Sequence, residues 1–221
     1  MEILLYILII GIPLVAQLYI NSVYSESKRK ANSSGLCGQE VARKILDSNG
    51  LENVHIVEVN GVLSDHYDPR QKVVRLSTEI FHGESVAALS VAAHECGHAI
   101  QDKENYAFLR LRALLVPVVN FINNTAYVIF LISVFLQLFD FMLIAFAAVF
   151  MTLIFQIITL PVEFNASSLA LKQVNDLKLV NKSDSEVAER MLKAAAFTYV
   201  AAVISSLLNM LRILMRVRDR D

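Results

Sequence analysis

The sequence predicts an α+β membrane protein: a small domain of helix, short sheet and a second, histidine-bearing helix, joined to helical membrane segments. Three observations carry this. Hydrophobic residues make up 55% of the 221, and they gather into long runs of a kind that soluble domains rarely show. Between the first two runs, residues 39–76 change from helical to strand-like patterning. Residues 85–101 then place His94, Glu95 and His98 in a stretch rich in Ala and free of Pro, which reads as a helix.

Composition narrows the partners. The formal net charge is −1 and no element carries a basic patch, which argues against a nucleic-acid partner. Cys37 and Cys96 are the only cysteines, too few for a disulfide framework and without the paired spacing of a Cys-ligated metal site.

The first apolar run covers residues 3–20, broken by Gln17 and by Gly11 and Pro13, which are expected to interrupt a helix. Glu2 stands where a signal peptide has basic residues, and no small-x-small cleavage site precedes the polar segment. The run therefore reads as an uncleaved span. Lys28-Arg29-Lys30 favour a cytoplasmic position for the segment after the span, with the N-terminus outside.

Val41, Ala42, Ile45 and Leu46 give residues 39–49 one apolar face, between Gly38 and the stop at Asn49-Gly50. Residues 54–59 read as a strand closed by Asn60-Gly61. Residues 63–67 and 72–76 flank Asp68-Pro69-Arg70-Gln71 and predict a hairpin. His55 reads as a sheet-surface residue, His66 as a solvated loop residue with a site-lining role as the alternative, and His82 as a cap-region residue.

On a helix His94 and His98 fall one turn apart on one face, so two imidazoles can grip one metal ion. Glu95 then projects beside the metal's open position. This is the H-E-x-x-H arrangement of zinc peptidases, in which zinc makes its water acidic near pH 7 and the glutamate serves as general base. Cys96 reads as a packing residue.

Between Arg112 and Glu163 the only charged residue is Asp140. Residues 114–138 and 141–160 are each long enough for a hydrocarbon core that needs about 20 apolar residues. They form an antiparallel membrane hairpin with its link at Asp140, so Arg112 and Glu163 emerge on the same side. Glu163 is then the best third ligand, with Asp102 and Glu104 as rivals that lie too close to His98 along the same helix. Farther on, Ser183 or Asp184 is expected to cap a helix leading into the apolar residues 194–215. Ser205, Ser206, Asn209 and Arg212 make that stretch ambiguous between a span and an interfacial helix, with a lean towards a fourth membrane-associated segment.

Ser34-Gly35-Leu36, Asp65-His66-Tyr67-Asp68-Pro69, Val91 through Gln101, and Leu160-Pro161-Val162-Glu163-Phe164-Asn165-Ala166-Ser167 together resemble the YugP-type neutral zinc metallopeptidases of bacterial membranes. The resemblance covers nearly the whole chain, in order. More distantly the chain is similar to the HtpX and CAAX-prenyl (Ste24-type) membrane peptidases. The resemblance implies a zincin-like domain with Zn2+ on His94, His98 and Glu163, and Glu95 as base. The HtpX-like pattern has an aspartate four residues after the ligand glutamate, where this chain has Ser167. No oxyanion-stabilising residue is assigned; His66, Tyr67 and Tyr199 are the candidates.

The expected division is a membrane anchor at 1–24, the zincin-like domain at 25–112, the membrane hairpin at 113–162, a third-ligand helical region at 163–193 and a C-terminal hydrophobic helix at 194–221. The expected function is a membrane-embedded zinc endopeptidase acting on protein or peptide substrates, membrane proteins among them. Its active site is expected on the cytoplasmic face of a multi-pass protein, in the bacterial cytoplasmic membrane by the resemblance. The alternative is a catalytically silent, metal-binding membrane scaffold. An intramembrane protease of the site-2 type fits poorly, because Glu79 and Glu84 precede the motif and Asp102, Lys103 and Glu104 come after it.

Overall fold

Apolar runs and local patterning translate into ten elements among the described residues. The computed structural model describes residues 2–62, 64–136 and 142–218. In order they form α1 (Glu2–Arg29), α2 (Gly38–Ser48), β1 (His55–Val59), β2 (His66–Asp68), β3 (Val73–Ser77), α3 (Thr78–His82), α4 (Val86–Lys103), α5 (Ala107–Leu136), α6 (Met142–Asp176) and α7 (Lys182–Arg218). The protein is an α+β membrane protein, mostly helical, with one three-stranded sheet among the described residues.

Helices Ile3–Arg29, Phe146–Asp176 and Lys182–Met215 are long and apolar enough to cross a bilayer. The expected interruption at Gly11 and Pro13 does not occur, since α1 is continuous through both, and α6 likewise continues through Pro161. A proline inside a helix costs about 3 kcal/mol in water. Spanning helices tolerate it because neighbouring groups and local adjustment satisfy the freed carbonyl. The link expected at Asp140 lies outside the described residues.

The chain divides into two compact units. One comprises residues 1–17, 107–161 and 197–221. There the Arg212 guanidinium sits 4.6 Å over the Tyr6 ring and donates to the Tyr6 hydroxyl and, at 2.7 Å, to Asn209 Oδ1. The Ser205 hydroxyl donates to the Ile9 carbonyl. These contacts pair α1 with α7, and they give the polar residues of α7 partners inside an otherwise apolar stretch.

The other unit comprises residues 18–106 and 162–196. Its sheet has the order β1-β3-β2. The predicted hairpin forms, with Tyr67 opposite Val74, and the Asp68 carboxylate accepts from the Arg70 and Gln71 backbone N–H groups to close the turn. β1 runs parallel to β3 with His55 opposite Val73, a pairing that no local pattern announces.

The core of this unit joins Val41, Ile45 and Leu46 of α2, Val74 and Leu76 of β3, Leu89, Ala92, Cys96 and Ala99 of α4, and Ala170 and Val174 of α6. Each large aliphatic side chain buried this way contributes about 1.5–3 kcal/mol. The small residues of α4 let α2 approach closely, with Cys96 Sγ 3.6 Å from the Ala42 carbonyl. One side of α4 is thereby fixed in the core and the other carries the histidines.

The start of α4 is equally constrained. Ser85 caps it by accepting from the Ala88 N–H, and the Val86 N–H donates to the Lys30 carbonyl. Asn32 donates through its side chain to the carbonyls of Leu36 and Glu84. At α7 the cap is Asn181, whose Oδ1 accepts from the Asp184 N–H at 2.8 Å, in place of the expected Ser183 or Asp184. The Asp184 carboxylate is instead buried against Lys30 (2.9 Å) and the Ser33 N–H (2.8 Å).

Candidate metal centre

A helix places residues i and i+4 over one another, and α4 does this with His94 and His98, whose ring centroids are 4.8 Å apart. Glu163 of α6 meets both. Its Oε2 lies 3.2 Å from His94 Nε2 and 3.8 Å from His98 Nε2. The three donor atoms all fall within 4.8 Å of one another, with His98 and Glu163 buried and His94 half-buried. Asp102 and Glu104 are not part of this group.

The approach of α6 to α4 depends on Gly97. A Cβ built there would stand 2.5 Å from the Ala166 carbonyl oxygen, so a methyl group at this position requires the α6 backbone to move. Ala166 lies one turn beyond Glu163, and the missing side chain is what brings the carboxylate to the histidines. The two inner positions of the motif thus have opposite duties: Cys96 packs the core, and Gly97 leaves room for α6 and its Glu163.

The donor set fits zinc. Tetrahedral Zn–N and Zn–O distances of about 2.0–2.2 Å place neighbouring ligand atoms roughly 3.3 Å apart, close to the 3.2 and 3.8 Å found here. Two imidazoles and one carboxylate are also the ligand type of catalytic zinc sites, which keep a position open for water.

Glu95 is buried beside this group. Burial pushes its carboxyl up to about 7; the nearby carboxylates of Glu163 and Asp65 act in the same direction, while His94 and the Tyr67 backbone N–H oppose them. Tyr67 lies on β2, at one end of the strand order, so an outer strand of the sheet adjoins the proposed base. Asp65 is held by the Ser77 backbone N–H (2.7 Å) and hydroxyl (3.0 Å), which fastens the approach to β2 onto the end of β3.

Each histidine has a partner at its other ring nitrogen. Ser167 Oγ is 3.3 Å from His94 Nδ1, so the hydroxyl in the place of the HtpX-like aspartate does reach the ring. Gln101 Oε1 is 3.0 Å from His98 Nδ1. Sequence reasoning misses Gln101, which enters there only as the last residue of the motif's surroundings. Its place three residues after His98, on the same helix face, is the available signal.

The other candidates lie elsewhere. His55 is exposed on β1. His66 is exposed on β2, with Nδ1 2.7 Å from the Ser64 carbonyl. His82 ends α3 and pairs with Glu58 at 3.1 Å. The Tyr67 hydroxyl donates to Asp102 at 2.7 Å, which occupies the proton an oxyanion would need. Asp102 in turn also takes Lys72. Tyr199 belongs to the other unit.

Comparison with known proteins points to the same metal. The family described as "Putative neutral zinc metallopeptidase" matches residues 2–218. A Bacillus subtilis (strain 168) protein named "Putative membrane protease YugP" is 43% identical over 216 residues, which cover 96% of this chain and 95% of that protein. No solved structure matches the chain.

Proposed function

The chain belongs to this neutral zinc metallopeptidase family, whose cofactor is Zn2+, and on that premise we propose that it is a membrane-embedded endopeptidase with its active site on the cytoplasmic face. His94 Nε2, His98 Nε2 and the Glu163 carboxylate would hold the zinc. When bound, zinc supplies a Lewis acid for the peptide carbonyl and a water that is acidic near neutral pH. Glu95 accepts the proton of the attacking water and later delivers it to the leaving amine.

The observation that carries this reading is the buried Glu95 next to the three donor atoms. A structural zinc site has no use for a second, non-ligating carboxylate, whereas a hydrolytic one needs a base there. The test is cleavage of a denatured membrane protein by detergent-purified material, before and after chelation. Hydrolysis is expected to disappear on metal removal and to return with stoichiometric zinc. Cleavage that survives complete stripping would refute the zinc mechanism; zinc-loaded protein that cleaves nothing would favour the scaffold.

Lys28 and Arg29 in the last turn of α1, with Lys30 directly after it, support a cytoplasmic placement of the domain that follows. His55→Cys, on exposed β1 in a Cys37→Ser background, should resist a membrane-impermeant maleimide in intact cells and react after permeabilisation. Labelling of intact cells would place the domain outside.

A further inference from the structure

We infer that Gln101 is a positioning residue that sets the tautomer of His98 and, through the same amide, the seat of Glu163. This rests on the metal-site reading above. Gln101 is fully buried, and its Nε2 lies 2.8 Å from the Val162 carbonyl and 2.9 Å from Asn165 Oδ1. A backbone carbonyl only accepts, so the end of the amide facing Val162 must be the NH2. That leaves Oε1 facing His98 Nδ1 at 3.0 Å. An amide oxygen only accepts, so His98 must carry its proton on Nδ1, and the lone pair of the neutral ring is then on Nε2, the atom nearer Glu163.

Val162 immediately precedes Glu163, and Asn165 comes two residues after it. One side chain therefore touches a ligand imidazole on α4 and both flanks of the ligand carboxylate on α6. Ser167 does not do the same for His94, because a hydroxyl can donate or accept and by itself selects neither tautomer. The amide spans two elements whose ligands are 65 residues apart (163 − 98), which ties their spacing to a single rotamer.

The test uses full-length protein labelled with 15N-histidine, metal-free in detergent, with His98 assigned from the His98→Ala spectrum. The wild type should show His98 protonated at Nδ1. Gln101→Met should let the Nε2-protonated form appear, and zinc affinity measured by chelator competition should fall roughly 10–100-fold, as for other partners of ligating histidines. A wild-type His98 protonated at Nε2, or a Met variant with unchanged tautomer and affinity, would overturn the inference. If Gln101→Met does not fold, Gln101→Glu decides: it keeps an oxygen facing Nδ1 and should keep the wild-type tautomer, and loss of that tautomer overturns the inference. Wild-type protein that takes up no zinc would defeat the metal-site reading instead, and the tautomer measurement on metal-free protein tells that failure apart from this one.

Discussion

Glu163→Ala is expected to lose zinc. Wild-type protein purified without chelators should carry close to one zinc per chain by elemental mass spectrometry. The variant should carry far less, with an affinity loss exceeding the roughly 10–100-fold that removal of an outer partner causes. Glu163 supplies the only negative charge among the three donors, and its oxygen is the one that both histidines face. Two imidazoles on one helix turn leave the tetrahedron half empty, and no substitute is at hand among the described residues. Asp102 is held by Tyr67 and Lys72, and Glu104 is exposed beyond the end of α4. Glu163→Gln should fall between, since it keeps the shape and one oxygen but not the charge. Unchanged zinc content in the alanine variant would remove Glu163 from the ligand set.

How much of this is legible in the sequence depends on how local each signal is. His94, Glu95 and His98 can be read directly, because helical periodicity alone fixes their relation. Glu163 lies 69 residues after His94. It is legible only through the expectation that the apolar stretch between Arg112 and Glu163 folds as a membrane hairpin, which would return the chain to the side it left. The β2–β3 hairpin is announced by Asp68-Pro69, while the parallel β1–β3 pairing is not, since it depends on a crossover and not on a turn. Gln101, Gly97 and Asn181 escape for a common reason. Each matters through contact with a distant backbone atom or ring, and nothing in the neighbouring residues records where that atom will be. Continuity through Pro13 escapes because proline is weighed as it acts in water.

Glu95→Gln is expected to separate stability from activity, with opposite signs. Hydrolysis should fall by roughly 10²–10⁴, the usual contribution of a positioned general base, while zinc is retained because Glu95 is not one of the three donors. The metal-free fold should become more stable. Glu95 is buried and its carboxyl is raised from 4.5 to about 7. Between those values the unfolded chain has released its proton and the folded chain still holds it. Stability of the wild type therefore declines as pH rises across that window, by up to about 3 kcal/mol, and the cost stays constant above it. Glutamine does not titrate, so the variant lacks this decline, and the Tyr67 N–H can still donate to its amide oxygen. Unfolding of both proteins, stripped of metal, at pH 5 and pH 8 isolates the effect, because every other titrating group contributes to both. The variant's advantage should be small at pH 5 and near its full size at pH 8. An advantage that is flat with pH would mean that Glu95 is ionised throughout, and a variant that cleaves at the wild-type rate would take the base away from Glu95 altogether. A carboxylate kept where it weakens the fold, one residue from a metal ligand, is what a hydrolytic site requires and a scaffold does not.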